Sequence, residues 1–265
     1  MIYVVLGALA VGLSLGLLGS GGSILTVPVL LYLLHHPGKA AIAESLAIVG
    51  VIALLAVLPY AREKAVDWKL AALFGLPGMA GTYAGAWLAG SVSGVVQLLV
   101  FAGVMLAASV FMWRKASRAN VARAERPAED TRRASIGLVV LQGAAVGVMT
   151  GFVGVGGGFL IVPALVLLAN LPMRRAVATS LVIIAANSAI GFFKSWQVLD
   201  ALDGAGGAID WSTVGWFAVI GVVGSYAGRS LGGRINQAAL QRVFAVFLLV
   251  MGAFIAVKQI VSLTG

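Results

Sequence analysis

The sequence contains no cysteine and very little charge. With no cysteine among its 265 residues, disulfides and thiol chemistry are excluded. Only 10% of the residues are charged, against about 25% in soluble domains, while 61% are hydrophobic and the mean hydropathy is +1.05. The two histidines, His35 and His36, stand side by side, and no second cluster of ligand types accompanies them. The composition predicts an integral membrane protein and indicates no metal and no cofactor.

The charge that is present is concentrated in one central stretch. The net charge is +9, and residues 114–133 form the longest polar segment of the chain. This segment has no interleaved aromatic residues, so nucleic-acid binding is not expected, and a cytoplasmic loop that follows the positive-inside rule accounts for it. We therefore predict a multi-pass protein of a bacterial-type inner membrane with this loop in the cytoplasm. Its basic residues are Arg114, Lys115, Arg118, Arg123, Arg126, Arg132 and Arg133.

The chain is an internal duplication. The first Gly-rich stretch, "GLSLGLLGSGGSILTVP", aligns with a second one 135 residues later, which ends in "GFVGVGGGFLIVP". Further on, "FGLPGMAGTYAGAWLAG" aligns with "FAVIGVVGSYAGRSLGG" at a shift of 143. Because order and spacing both hold, we divide the chain into a first transmembrane repeat (1–113), the basic loop (114–134) and a second transmembrane repeat (135–265).

Each half contains five apolar stretches, and the second of them is too short to cross a membrane. Spanning takes about 20 helical residues, whereas 23–35 and 159–171 are shorter and directly follow the glycines. We interpret each Gly-rich stretch with its follower as a broken or re-entrant helical element. The apolar stretches are 1–18, 23–35, 39–60, 70–90 and 94–113, then 135–153, 159–171, 176–198, 212–232 and 238–260.

Equivalent loops of the two halves differ in charge. Loop 61–69 is basic, whereas its equivalent, 194–211, carries three aspartates and one lysine. The turn near Ser91 has no basic residue, whereas its equivalent is flanked by arginines. Since basic loops face the cytoplasm, equivalent loops are expected on opposite sides. The sequence thus predicts an all-α polytopic protein with two inverted-topology repeats, an odd number of crossings per half and both termini outside.

Matched helix breaks in inverted repeats are typical of secondary transporters, whose substrate site lies near the membrane midplane. A non-helical backbone at membrane depth must line a cavity or be covered by protein. The N–H groups of a helix start carry partial positive charge and favour anions. The alternative, close helix packing through small residues, explains "GTYAG" and "GSYAG" better than it explains the two clusters. The expected substrate-binding glycines and their adjacent serine are Gly21, Gly22, Ser23, Gly156, Gly157 and Gly158.

The paired Gly-rich stretches, the "ATSLVIIAANS" run and "GSYAG" together resemble the TauE/SafE sulfite exporter family, within the toluene-sulfonate uptake permease superfamily. The resemblance covers almost the whole chain. It implies transport of sulfite, sulfoacetate or another organosulfonate. It fixes neither the substrate nor the direction, since members of the family differ in both.

Polar side chains follow each re-entrant element. Thr179, Ser180 and Asn187 can offer hydroxyl and amide groups to a ligand, and Ser45 is the first-half equivalent of Ser180. Equally, hydroxyls in membrane helices often bond to their own backbone or to a neighbouring helix. The first half has Glu44 where the second has Thr179. A carboxylate inside an apolar segment is costly and functional by default.

We expect Glu44 to carry a proton coupled to anion movement. The alternative is an interfacial glutamate paired with Lys39 or another polar group. Arg229 and Lys194 can attract anions at a cavity mouth, although snorkelling to the interface also explains them. Trp68 and Trp211, at matching loop ends, are interpreted as interface anchors.

Other classes of function fit the sequence less well. "GSGGS" departs from a Gly-x-Ser-Gly protease motif, and no later histidine can serve as base. No phosphate-loop signature occurs, so nucleotide hydrolysis is not expected. We predict a secondary transporter that exports a small sulfur-containing anion by alternating access around a site near the membrane midplane. The open alternatives are a passive anion channel, a transporter of a non-sulfur organic anion and a purely structural role, with the oligomeric state undetermined.

Overall fold

A computed structural model describes residues 2–19, 21–89, 92, 94–122, 136–153, 158–167, 169, 171–200 and 207–264. These residues form α-helices and contain no β-strand. The helices of the first half are α1 (Ile2–Leu18), α2 (Gly21–Pro28, continued by a π-helical turn Val29–Leu33), α3 (Gly38–Arg62), α4 (Trp68–Ala89) and α5 (Gly94–Ala122). Those of the second half are α6 (Ile136–Val153), α7 (Gly158–Leu167), α8 (Met173–Asp200), α9 (Trp211–Arg234) and α10 (Gln237–Thr264).

The prediction of an all-α polytopic membrane protein is confirmed. Four of the described helices are long and apolar enough to cross a membrane: Gly38–Arg62, Met173–Asp200, Trp211–Arg234 and Ala238–Val261. Shorter apolar helices accompany them at Tyr3–Leu18, Gly22–Leu33, Leu99–Arg114 and Gly137–Phe152. The division into 1–113, 114–134 and 135–265 stays a prediction, and α5 continues past residue 113 to Ala122.

The helices of one half pack against those of the other in exchanged pairs. α1 packs on α9 and α4 packs on α6, while α3 packs on α8 and α5 on α10. Glycine makes the first two contacts close: a Cβ on Gly12 would overlap the Gly221 carbonyl, and a Cβ on the equivalent Gly147 would overlap the Gly78 carbonyl. The glycines of "GTYAG" and "GSYAG" lie in the same contacts, at Gly81, Gly85, Gly224 and Gly228. Close packing therefore explains these glycines.

Contacts along the helices give their relative directions. Gly12 and Gly16 of α1 meet Gly221 and Ser225 of α9 in that order, so α1 and α9 run parallel. In the same way α6 runs parallel to α4, because Gly147 meets Gly78 and Gly151 meets Thr82.

Contacts of α3 and α8 relate the direction of the α1–α9 pair to that of the α4–α6 pair. Ile52 of α3 meets Gly221 of α9 while Tyr226 bonds to the Leu55 carbonyl, so α3 runs with α9. By contrast, Gly50 meets Ser188 while Leu46 meets Gly191, so α3 and α8 are antiparallel. Ile183 and Asn187 of α8 meet Gly75 and Gly78 of α4, so α8 runs with α4 and α6. Equivalent helices thus run in opposite directions, which supports the predicted inversion of the halves.

The outer surface of the bundle is apolar, as expected for contact with lipid. Trp68 and Trp211 are 58% and 56% exposed, and the other four tryptophans are about half exposed or more. Large contiguous apolar patches are rare on monomeric soluble proteins. The interior combines buried Phe, Leu, Ile and Ala side chains with a small set of buried polar ones, and these polar groups define the candidate site.

Candidate functional site

The first helix break is a tight reversal between α1 and α2. Gly19 has φ +75°, a left-handed conformation that favours glycine, and its N–H donates to the Leu15 carbonyl at 2.7 Å, as in a helix C-cap. After the break the chain folds back along α1: a Cβ on Gly22 would lie 2.6 Å from the Val11 carbonyl oxygen. Val29, further along, contacts Gly7. The first Gly-rich stretch therefore forms a helical hairpin.

The predicted glycine site is described only in part. Gly21 and Gly22 begin α2, and Ser23 is buried in its first turn. In the second half Gly158 begins α7, whereas Gly156 and Gly157 lie outside the described residues. The role of all six residues in binding an anion stays a prediction. Gly22 has a packing reason of its own, since α1 leaves no room for a side chain there.

The two equivalent serines bond within their own helices. Ser45 Oγ donates to the Ile42 carbonyl at 2.8 Å, and Ser180 Oγ is 2.8 Å from the Val177 carbonyl. Ser180 Oγ also lies 3.4 Å from the Gly19 carbonyl oxygen, so α8 reaches the first helix break. The structure thus brings Ser180 next to the predicted glycine site and gives both hydroxyls backbone partners.

Two neighbouring polar side chains of α8, Asn187 and Ser188, are buried where α8 crosses α3 and α4. Asn187 is 2% exposed and Ser188 is fully buried, yet Asn187 Oδ1 and Ser188 Oγ have no hydrogen-bond partner among the described residues. Ser188 faces Gly50 near the middle of α3, and Asn187 faces Gly78 of α4. An unsatisfied buried polar atom costs about 1–3 kcal/mol, so each needs an explanation. Asn187 was expected from the sequence, whereas Ser188 was not.

Glu44 and Thr179 occupy equivalent positions and make equivalent bonds. Glu44 Oε1 accepts from the backbone N–H of Asp210 at 2.8 Å, just before α9. Thr179 Oγ1 accepts from the backbone N–H of Asp67 at 3.0 Å, just before α4. Both side chains are fully buried. Each side chain therefore fastens the start of a neighbouring helix.

Glu44 has a second partner, which is His36. Glu44 Oε2 lies 2.6 Å from His36 Nδ1, while Lys39 is exposed. His35 has φ +58°, and the reversal at this residue places His36 back over α3, with its N–H on the Leu30 carbonyl. The pair could not be predicted from the sequence, because it forms across a turn rather than at a helical spacing. The polar partner of Glu44 is thus His36 rather than Lys39. The role of Glu44 as a proton carrier stays a prediction.

A basic cluster lies at the opposite end of α3. Glu63, which follows the helix, accepts from Arg229 Nη2 of α9 and from Arg174 Nη2 of α8, the latter at 3.2 Å. The hydrogen bond from Arg229, together with the positive charge of both arginines, holds the pKa of Glu63 below its usual value. Arg229 also stacks over the Tyr60 ring, 4.9 Å from its centroid. We call Glu63, Arg174 and Arg229 the basic mouth.

A cavity of about 220 Å³ opens at the basic mouth. It lies beside the first helix break, because Leu17 and Val177 line it and Val177 contacts Gly19. Arg229 was expected from the sequence, whereas Arg174 and Glu63 were not, because the three residues lie far apart in the chain. Lys194, the other cation considered there, is elsewhere and lies 5.3 Å from the centroid of the Tyr83 ring.

The comparisons with known proteins concern nearly the whole chain. The family model described as "Sulfite exporter TauE/SafE" matches residues 4–255. A "Probable membrane transporter protein" of Xylella fastidiosa strain Temecula1 is 32% identical over 260 residues, which cover 96% of this chain and 94% of the relative. The "Probable membrane transporter protein YunE" of Bacillus subtilis strain 168 is 30% identical over 256 residues, which cover 89% of this chain and 88% of the relative. No solved structure matches the chain.

Proposed function

The chain belongs to the TauE/SafE sulfite exporter family, and from this premise we propose that it is a secondary transporter that exports a small sulfur-containing anion such as sulfite or an organosulfonate. The observation that carries the proposal is the pair of unpartnered oxygens of Asn187 and Ser188 at the crossing of α3 and α8. A carbonyl and a hydroxyl suit a hydrated or protonated oxyanion that passes the middle of the bundle. An anion that crosses the bundle there would meet neutral polar groups, so no permanently charged side chain is needed at the centre of its path.

Two further features support transport by alternating access. The first Gly-rich stretch is a folded-back helical hairpin, and equivalent helices of the two halves run in opposite directions. Inverted repeats with broken helices permit two openings around one central site. The basic mouth would supply the opening toward one side.

The side on which the basic mouth opens agrees with export. Leu240, near the start of α10, lines the cavity at this mouth. Ser109 of α5 donates to the nearby Ala245 carbonyl, and α5 and α10 are antiparallel, so α5 ends at the same face of the bundle. The central basic stretch, 114–134, begins within the last turns of α5. If that loop lies in the cytoplasm of a bacterial-type inner membrane, anions enter from the cytoplasm through the basic mouth.

Glu44 is the proposed proton carrier of the transport cycle. It is fully buried near the other end of α3, with His36 as a titratable neighbour and Asp210 at the adjoining start of α9. A carboxylate that gains and loses a proton here can couple anion movement to the proton gradient, because protonation removes a buried negative charge. Nothing in the chain indicates that nucleotide drives transport.

Flux of anions into liposomes tests the proposal. The reconstituted protein is assayed with sulfite, sulfate, sulfoacetate, taurine, acetate and chloride, with and without a pH gradient. We expect saturable flux of one sulfur anion that a pH gradient accelerates. Flux that rises linearly with concentration and ignores the pH gradient would instead identify a passive channel. Acetate transport without transport of any sulfur anion would identify a carrier of other organic anions.

Two variants connect flux to the site. Asn187→Leu removes the central polar group and should lower flux at least tenfold, and Glu44→Gln should remove the pH dependence. Ser109→Ala is the matched control, because Ser109 is also buried but bonds to Ala245 between α5 and α10. If Asn187→Leu and Ser109→Ala transport equally well, the central site is wrong. If Glu44→Gln keeps the pH dependence, proton coupling at Glu44 is wrong.

A further inference from the structure

Glu63 connects three helices at this end of the bundle. It follows α3, while its two arginine partners come from the end of α9 and the start of α8. Its carboxylate accepts one N–H bond from each arginine, on a different oxygen in each case, and such charge-assisted bonds are stronger than neutral ones. The Glu63 carboxylate therefore occupies a place that fits a small oxyanion.

The cavity beside this carboxylate is small and partly polar. Its volume of about 220 Å³ is that of roughly seven waters at about 30 Å³ each, which is below the range typical of drug-sized ligands. Arg174, Arg229, Ser230 and Tyr60 contribute its polar groups. The size and the guanidinium groups restrict the ligand to a small anion.

The charges of the basic mouth do not balance within the cluster. Two guanidinium groups face one carboxylate, which leaves an excess positive charge. In addition, Arg229 Nε is buried and has no hydrogen-bond partner in the described part of the chain. Arg229 is 24% exposed and is held over Tyr60, so it is fixed in place, whereas Arg174 is 65% exposed. An anion with three or four oxygens would supply acceptors that Glu63 alone does not provide.

We infer that Arg174, Arg229 and Ser230 form an oxyanion-binding site, and that Glu63 occupies it as an internal anion which the transported anion displaces. Displacement breaks the two ion pairs by which Glu63 ties the end of α3 to α8 and α9. We call the ion pairs of Glu63 with Arg174 and Arg229 the latch, which opens when an anion binds in place of the carboxylate. This inference rests on the proposed function for the identity of the anion, but binding at the site can be measured without transport.

Anion affinity in detergent tests the latch. Sulfite and sulfate are titrated into the full-length protein in a neutral detergent, and binding is followed through the melting temperature. Glu63→Gln removes the competing charge and should tighten anion binding about tenfold, the size expected when a charged hydrogen-bond partner is removed. Arg229→Gln and Arg174→Gln should weaken binding at least tenfold.

The matched control is Arg175→Gln. Arg175 is the neighbour of Arg174 on the first turn of α8, is exposed and is not among the residues that line the cavity. Its loss changes the net charge as much as the loss of Arg174, so it should leave anion affinity unchanged. Arg229→Lys serves if Arg229→Gln fails to fold, because it keeps the charge but loses the planar fork and should still bind the anion more weakly.

The outcomes separate the latch from the proposed function. If the wild type transports sulfite but Glu63→Gln binds anions with wild-type affinity, the latch is overturned and the transport proposal stands. If Glu63→Gln tightens binding and Arg229→Gln abolishes it, the site stands even if liposomes show no flux. Equal losses in Arg174→Gln and Arg175→Gln would reduce the effect to overall charge and overturn the site.

A lipid headgroup offers the same phosphate-type oxyanion as a soluble anion. Nanodiscs of phosphatidylcholine with and without phosphatidylglycerol distinguish the two sources. If phosphatidylglycerol stabilises Glu63→Gln whereas sulfite and sulfate do not, the occupant is lipid and the latch is overturned. A response to the soluble anions in phosphatidylcholine alone supports it.

Discussion

Glu44 and Thr179 occupy the same place in the two halves of the molecule but bring different chemistry to it. Each is fully buried, and each accepts the backbone N–H of an aspartate that precedes a long helix of the other half, α9 for Glu44 and α4 for Thr179. Thr179 makes this bond with a neutral hydroxyl, whereas Glu44 makes it with a carboxylate that also bonds to His36. The hydrogen bond from each of these side chains to the start of a helix is therefore common to the two halves. The carboxylate and its histidine are additions of the first half.

The basic mouth shows the same division at the other end of the bundle. The packing of α1 on α9 repeats in the packing of α6 on α4, glycine for glycine. Of the three residues of the basic mouth, only Arg174 has a charged counterpart, which is Lys39. The comparison teaches that the two halves share their helix packing, while most of the charged side chains at the basic mouth belong to one half only. In the alignment of the two halves, Glu63 is equivalent to Val198 and Arg174 is equivalent to Lys39. Arg229 is equivalent to Ala86, and His36 is equivalent to Leu171.

The largest effect is expected when the acid is copied into the second half. Thr179→Glu places a carboxylate at a fully buried position where Leu171 replaces the histidine. An uncompensated buried charge costs about 3–5 kcal/mol, so the variant should be strongly destabilised. Thermal unfolding in detergent measures the change.

A double variant sharpens this comparison. Leu171→His together with Thr179→Glu recreates the pair that Glu44 forms with His36, and should recover part of the lost stability. Thr179→Ser, which keeps a hydroxyl near the Asp67 N–H, is the matched control and should unfold close to the wild type. If Thr179→Glu alone is as stable as Thr179→Ser, the two positions differ less than their partners indicate.

The second prediction concerns the close glycine contacts that occur in both halves, α1 on α9 and α6 on α4. Gly12→Ala and Gly147→Ala each place a Cβ against a backbone carbonyl, of Gly221 and of Gly78 respectively. Overpacking costs about 1–3 kcal/mol, and the two variants should lose similar amounts because the contacts are equivalent. Gly215→Ala is the control, since nothing lies within 4 Å of its Cβ position. Clearly unequal losses would show that the two contacts are not equivalent.

Much of the fold could be predicted from the sequence because its signals are local or repeated. Long apolar runs gave the positions of the helices, and the spacing of Gly12 and Gly147 gave the duplication. Glycine clusters predicted a break, which the reversal at Gly19 provides in the first half. The competing explanation by packing also holds, since Gly22 and the earlier glycines of the stretch lie in close helix contacts.

The candidate site was harder to predict because its partners are distant in the chain. His36 meets Glu44 across a turn, and Glu63 meets two arginines of the other half, so no helical spacing indicates either cluster. Ser188 was missed for another reason. A serine in an apolar helix usually bonds to its own backbone, as Ser45 and Ser180 do, and only the packing against Gly50 sets Ser188 apart.

A smaller difference is expected between the two helix starts. Asp210 caps α9 by accepting the N–H groups of Ser212 and Thr213 and the Thr213 hydroxyl, which also lowers the pKa of the Asp210 carboxyl. Asp67 accepts the Leu70 N–H at the start of α4. Loss of an N-cap costs about 1 kcal/mol, so Asp210→Ala should destabilise by about that amount and Asp67→Ala by less. Asp210→Asn, which can still cap, should be close to the wild type in thermal unfolding.

The smallest effect is the pH dependence of the basic mouth. The pKa of Glu63 is lowered in the folded protein by the hydrogen bond from Arg229, so the folded state favours the ionised carboxylate more than the unfolded chain does. The stability that this gives is present above the ordinary glutamate pKa and is lost as pH falls through the lowered value. Because Glu63 is exposed and screened, wild type should melt at most about 2 °C above Glu63→Gln at pH 7. The difference should persist at pH 6 and shrink progressively as pH falls below the ordinary glutamate pKa, and a difference that instead grows as pH falls would contradict an ionised latch.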